Sequence, residues 1–241
     1  NLALATAPGN ITINIPEAGE CTLTLELSNP KAWTCTVVSG SEEPETVIEE
    51  LFLIGVDDLI SGGWTFDNKL KLYNEDEKIY NGVVNVNSEW GYQIAIENGN
   101  WGDVYKQADG DAYAGSLVFQ GENNIAAPTP GLYFFDVSLK NLTFALTAIG
   151  SEIYLSGLND TWDFATSLAA TATPGVYSGE ITITAVSEWG FKIYLIADNW
   201  NLVYGGGEGS LYFNGNGITD DATLGVGTYT MTVDLVNGTY S

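Results

Sequence analysis

Two pairs of residues in this chain have the types that hold a flat, polar ring: Asn100-Trp101 and Asn199-Trp200, each an amide beside an indole in a short polar turn. Two further tryptophans, Trp64 and Trp162, end the polar loops GGWTF and DTWDF. Indole left in water is unfavourable, so a tryptophan on a loop either folds back on its own domain or meets a ligand. A pyranose offers an apolar C–H face that stacks on indole, and polar side chains around it catch the hydroxyls and set its orientation. Lys192, on the segment that leads to Trp200, can donate to sugar oxygens; the corresponding residue before Trp101 is Gln93, a weaker donor than an ammonium.

Other chemistry is poorly supplied. The 241 residues contain no histidine, which removes the commonest general base and metal ligand. With only two cysteines a usual zinc site is excluded, and Asn74-Glu75-Asp76-Glu77 lacks the oxygen-ligand spacing of a calcium loop. No cofactor or metal is expected. Carboxylates are abundant, but Glu89 and Glu188 alone recur at a clearly matched place, and no acid pair of the glycosidase kind stands out. Asp and Glu number 31 against 7 for Lys and Arg, a net charge of −24. Such a surface repels phosphate backbones, anionic lipid and polyanionic polysaccharides, leaving neutral partners open. No apolar run is long enough for a membrane helix.

The elements that must position these residues come from a repeat. Asn87 to Lys106 reads NSEWGYQIAIENGNWGDVYK, and Val186 to Gly206 reads VSEWGFKIYLIADNWNLVYGG. Trp189 follows Trp90 by 99 residues, and Trp200 follows Trp101 by the same 99. Function is therefore sought where the copies agree. Further matches are LFLIG at Leu51 with IYLSG at Ile153, IYNGVVNV at Ile79 with VYSGEITI at Val176, and GSLVF at Gly115 with GSLYF at Gly209. These set two modules, 49–149 and 150–241, after an N-terminal β segment with an acidic linker, 1–48. That segment is either the tail of an earlier repeat or a small domain of its own. Its Cys21 and Cys35 fit two buried thiols or a disulfide equally well.

Nearly every segment alternates with the period of a strand, as in Ile11, Ile13 and Ile15, and Ala165 to Thr173 alone is ambiguous between helix and strand. Six or seven short strands per module predict an all-β chain of tandem antiparallel β-sandwich, Ig-like modules. The same alternation places Trp90, Tyr92, Ile94 and Ile96 on one face, with Glu89, Gln93 and Ala95 on the other. In the second copy Trp189, Phe191, Ile193 and Leu195 oppose Glu188, Lys192 and Tyr194. Trp90 and Trp189 are thereby predicted in the core, and Lys192 on the solvent face.

From Leu51 to Ser241 the order IYLSG, TWDF, GVYSG, EWGFKIYL, DNW, VYGG and GTYTMTVDL resembles the SusE/SusF-type starch-binding lipoproteins of Gram-negative outer membranes. The resemblance implies tandem carbohydrate-binding modules, each setting two aromatics and a basic residue on the sugar. By position it implies Trp162, Lys192, Trp200 and Asn216 in the second module, and Trp64, Trp101 and Asn123 in the first, where Gln93 replaces the basic residue. It also implies a cell-surface location, through a lipid anchor on a missing N-terminal part, and a place in a surface glycan-uptake complex. The expectation is non-catalytic binding of a neutral polysaccharide, α-glucan above all. A structural or adhesive protein of tandem β-domains without a sugar site is the alternative.

Overall fold

The computed structural model describes residues 22–24, 34–36, 47–219 and 224–241. Residues 1–47 and 48–241 are two separate compact units. In the first, β1 (Thr22–Thr24) and β2 (Thr34–Thr36) pair antiparallel with Leu23 opposite Cys35. Cys21, the alternating isoleucines 11–15 and most of the acidic linker lie outside the described residues.

The second unit holds two eight-stranded antiparallel sheets, each closed on itself. The first module is built of β3 (Glu50–Ile54), β4 (Lys69–Asn74), β5 (Ile79–Val86), β6 (Gln93–Ala95), β7 (Val104–Gly110), β8 (Ala114–Phe119), β9 (Gly131–Ser138) and β10 (Thr143–Ala148). The second has β11 (Glu152–Ser156), β12 (Thr166–Ala170), β13 (Val176–Ile183), β14 (Lys192–Tyr194), β15 (Val203–Gly207), β16 (Ser210–Phe213), β17 (Gly227–Asp234) and β18 (Thr239–Tyr240). The ambiguous run at Ala165 is thus a strand. Around the first barrel the order is β3-β4-β5-β9-β10-β8-β7-β6, and the second repeats it as β11-β12-β13-β17-β18-β16-β15-β14.

These are barrels, not the Ig-like sandwiches that the sequence predicts. Closure depends on the three-residue strands β6 and β14, which pair on both sides. Ile94 stands opposite Leu53 on β3 and Tyr105 on β7; Ile193 stands opposite Leu155 on β11 and Tyr204 on β15. Period-2 alternation reports that one face of each strand is buried, and a closed sheet satisfies it as well as two facing sheets do. Closure also leaves no long unpaired edge along these strands.

Inside each barrel Ile94 and Ile193 point inward as predicted, meeting Leu51, Leu53 and Phe135 in the first and Ile153, Leu155 and Val233 in the second, all fully buried. The barrels also share apolar surface. Val83 and Phe134, on the outer side of β5 and β9, pack into the hydrophobic cluster of the second module. Phe213 receives the Phe134 ring at 4.8 Å and the Tyr73 ring edge-on at 5.0 Å.

The prediction that Trp90 and Trp189 are core residues is wrong. They are 69% and 71% exposed, more than any other tryptophan described. The reason is local. Gly91 and Gly190 take φ of +80° and +68°, which breaks the pleat between each tryptophan and the strand that follows. A Cβ at either glycine would lie 2.2 Å from the carbonyl oxygen of Ile125 or Ile218. Ser88 and Ser187 tighten the same turn by donating their hydroxyls to the Gly91 and Gly190 carbonyls, at 3.0 and 3.2 Å. Ser-Glu-Trp-Gly is therefore a turn that throws its indole outward, and inward alternation starts only at Tyr92 and Phe191.

Candidate functional site

The predicted binding residues of the second module sit on the outer face of β11 and β14. Register places Tyr154 opposite Tyr194 and Ser156 opposite Lys192. The loop between β11 and β12 folds over this face, carrying Trp162 and Phe164. Phe164 stands edge-on to Tyr154, Tyr194 and Trp200, at 6.1, 5.2 and 4.8 Å between ring centroids. Trp200 also meets Tyr194 at 5.2 Å. The edge-to-face contacts fix the Trp200 ring while half of it stays in solvent: it is 50% exposed, and Trp162 44%. Folding back and remaining open are thus combined in one side chain.

Local sequence explains both placements. Ahead of Trp200, Asp198 takes φ +60°, Asn199 donates its backbone N–H to the Ile196 carbonyl, and its side-chain oxygen accepts from Asn201 N–H at 3.1 Å. In the first module Asn100 does the same work more fully, accepting from Gly102 and Asp103 N–H and donating to the carboxylates of Glu97 and Asp103. The asparagine of each Asn-Trp pair thus holds the turn, and the indole is what the turn presents. Trp162 rests its ring on Gly157, whose φ is +98°; a Cβ there would lie 3.0 Å from the indole and 2.7 Å from the Gly190 carbonyl oxygen. Through that glycine Trp162 adjoins the start of β14, next to the exposed Trp189.

Lys192 is half-buried, and no carboxylate among the described residues lies within ion-pairing distance of it. Its neighbour across the ladder, Ser156, is fully buried with a hydroxyl that has no hydrogen-bond partner. Asn216 lies on an exposed loop whose Ile218 bridges Phe191; its carbonyl accepts from Gly206 N–H at 2.9 Å. The structure therefore brings Trp162 and Lys192 to one end of a face and Trp200 to the other, while Asn216 is placed by its backbone alone. Tyr154, Tyr194 and Phe164 lie between. Sequence reasoning missed those three, and missed Trp189. Tyr194 was legible as outward-facing, but not as covered by a loop; it is 4% exposed, and burial raises its hydroxyl pKa above the usual tyrosine value.

The matched face of the first module is drier. Phe52 and Ile54 replace Tyr154 and Ser156, Ala95 replaces Tyr194, and Val104 completes a cluster against which Trp64 and Phe66 pack. Trp101 keeps its edge-on contact with Phe66, at 4.9 Å, and is 53% exposed. Gln93 is already engaged: its amide donates to Asn124 at 2.9 Å, and Asn124 donates to the Trp90 carbonyl at 3.1 Å. In the second module the place of Asn124 is taken by Gly217, where a Cβ would lie 2.0 Å from the Trp189 oxygen. Asn123 is exposed and uses its carbonyl to accept from Gln107 N–H. Among the described residues no cluster of histidine, cysteine, aspartate and glutamate is arranged to hold a metal ion, and no helix is long and apolar enough to cross a membrane.

The fold and this face define a chain of two tandem antiparallel barrels with one outer face of each carrying loop aromatics. The chain belongs to a family described as a domain of unknown function, DUF8037, whose profile matches it twice, over residues 49–148 and 151–241. No curated protein sequence matches it.

Proposed function

We propose that the chain binds a neutral polysaccharide without cleaving it, α-glucan being favoured, through the outer face of β11 and β14 in the second module. The observation that carries this reading is a contrast between two equal frames. One face joins two half-exposed indoles, Trp162 and Trp200, to Tyr154, Ser156, Tyr194 and an unpaired Lys192. The other sets Phe52, Ile54, Ala95 and an engaged Gln93 at the same positions. Stacking on the indoles supplies affinity, and the lysine ammonium and Asn216 amide donate to or accept from ring hydroxyls. The net charge of −24 favours a neutral ligand. The first module, with Trp64, Trp101 and Asn123 but Gln93 in place of the lysine, is the weaker site, and two linked sites raise avidity when one chain reaches both.

In this reading the protein works as the SusE/SusF-type lipoproteins do, at the surface of an outer membrane beside a glycan-uptake complex. Affinity electrophoresis tests it. The wild type is expected to be retarded in amylopectin gels and to run freely in cellulose or levan gels, and Trp200→Ala to lose most of the retardation while keeping its circular dichroism. Unretarded migration of the wild type in every gel refutes the proposal. It would leave the structural or adhesive reading, which the apolar packing of Val83 and Phe134 into the second module favours.

A further inference from the structure

A second feature of the molecule lies where the barrels meet. There β4 and β5 of the first module and the β15–β18 side of the second enclose a cleft of about 250 Å³. The outward side of β4 gives it Lys69, Lys71 and Tyr73, β5 gives Asn81, and the second module gives Tyr212 and Asn237. Tyr212 is 62% exposed and stands in the cleft wall. Tyr73 is locked in place, its ring edge-on to Phe213 and its hydroxyl accepting from the Asn214 amide at 2.9 Å, yet much of it remains open. Lys69 is paired with Glu50 at 2.8 Å, whereas Lys71 has no ion-pair partner among the described residues.

Comparison of the repeats separates what the barrel needs from what the cleft adds. Leu70 and Leu168 are equivalent core residues, so Lys69 and Lys71 correspond to Ser167 and Ala169 on β12, and Tyr73 to Thr171 just beyond it. Tyr212 corresponds to Val118 on β8. One barrel thus carries two amines and an aromatic on a face that its twin leaves small and uncharged. Packing between modules explains Phe134, Val83 and Phe213, which are covered; it does not explain Lys71 and Tyr212, which stay in solvent.

We propose that this cleft is a further saccharide-binding site, in which a neutral pyranose stacks on Tyr212 and Tyr73 and its hydroxyls meet the Lys71 ammonium and the Asn81 and Asn237 amides. An aromatic face beside the unpaired Lys71 ammonium, with an Asn237 amide that already gives one hydrogen to Asp234 at 2.7 Å, is the chemistry of a sugar site, and a surface this acidic repels a polyanion. The cleft also continues the first module's face. The Lys69 ammonium lies 5.3 Å above the Phe52 ring, and adjacent strands step by about 4.8 Å, so a glycan crossing β3 and β4 runs into the junction. Bound there, it touches both barrels at once.

The inference rests on the glycan-binding reading, and the test separates the two. Isothermal titration of the chain with maltoheptaose, cellohexaose and a levan oligosaccharide is compared for the wild type, Trp200→Ala, Lys71→Ala and Tyr212→Val. The last two variants install the residues their twins carry, which the barrel accommodates. Lys71→Ala and Tyr212→Val are each expected to lower the number of sites for the bound glycan, or to weaken one of them about tenfold. Binding left in Trp200→Ala should fall further when Tyr212→Val is added, leaving only the weaker first-module face. If Trp200→Ala weakens binding while Lys71→Ala and Tyr212→Val change neither stoichiometry nor affinity, the cleft is not a site and the module face stands. If the wild type binds none of the three glycans, both readings fall.

Discussion

Trp189→Ala and Gly190→Ala are neighbouring substitutions whose effects should fall in an unexpected order. Trp189 is 71% exposed, so roughly a third of a side chain that buries at most about 250 Å² is out of water. At about 25 cal/mol per Å² that is under ~2 kcal/mol, and the extended-chain reference overstates it, leaving ~1 kcal/mol. A tryptophan truncated in a packed core costs about 3–5 kcal/mol. Gly190 has no side chain, but its φ of +68° disfavours any L-residue by about 1–2 kcal/mol before contacts are considered. Its Cβ would meet the Ile218 carbonyl oxygen at 2.2 Å, and that carbonyl accepts from Phe191 N–H. Gly190→Ala should therefore cost more than about 2 kcal/mol and exceed Trp189→Ala. Urea unfolding followed by far-ultraviolet circular dichroism reads both, as midpoint shifts at unchanged slope. A loss above 3 kcal/mol for Trp189→Ala, or a smaller loss for Gly190→Ala than for Trp189→Ala, would refute the outward turn.

Tyr92 fills the first barrel with a hydroxyl that has no partner, while its twin Phe191 has none to satisfy. Tyr92→Phe should raise stability by about 1 kcal/mol in the same denaturation assay, and a loss of that size would show that the hydroxyl is hydrogen-bonded. Burial pushes the Tyr177 hydroxyl up to about 12 and those of Tyr92 and Tyr204 higher still. The fold therefore holds protons that the unfolded chain releases: stability is complete below about pH 10 and declines as pH rises through 12. Tyr177→Phe should flatten that decline between pH 10 and 12 in a series of urea midpoints, and an unchanged slope would exclude Tyr177 as its source. Gln93→Lys combined with Asn124→Gly transfers the second module's cation to the first and removes the amide that engages Gln93. In a Trp200→Ala background this pair should restore part of the retardation in amylopectin; none restored would mean that Phe52 and Ile54, not Gln93, limit the first face.

The strand content and the two-module repeat were legible because period-2 alternation and matched spacing are properties of the chain itself. Closure was not. It turns on Ile94 and Ile193 finding partners on both sides, and the far partners lie 41 and 38 residues upstream, at Leu53 and Leu155. The inward assignment of Trp90 and Trp189 failed because alternation was carried across a glycine. Gly in Ser-Glu-Trp-Gly was the available signal, as a serine and a glycine bracketing two residues have turn composition. Trp101 and Trp200 were read correctly as loop residues from the asparagine before them. Their footing on Phe66 and Phe164 was out of reach, since the loop that carries each phenylalanine has to fold over the outer face first.

Agreement between the copies pointed to function at first, and in the structure much of that agreement also marks the frame. Apart from the loop tryptophans, many residues the modules share hold positions where the backbone leaves little choice. Gly55 and Gly157 lie under an indole at positive φ, Gly91 and Gly190 press on a carbonyl, and Ser88 and Ser187 close that turn. Gly82 and Gly179 face the side chains of Leu70 and Leu168 at equal range, 3.2 Å from where a Cβ would stand. Even the shared Asn-Trp asparagines serve the turn. With the frame fixed by these residues, side chains on the outer faces are free to diverge at little cost to the barrel. There the copies do diverge: Ile54 against Ser156, Ala95 against Tyr194, Gln93 against Lys192, Ala169 against Lys71 and Val118 against Tyr212. Each change puts a polar or aromatic group on one barrel where the other has a simpler one, and each falls on the face of β11 and β14 or in the cleft between the barrels. In a duplicated chain, differences on a common frame thus mark where the two copies can differ in surface chemistry.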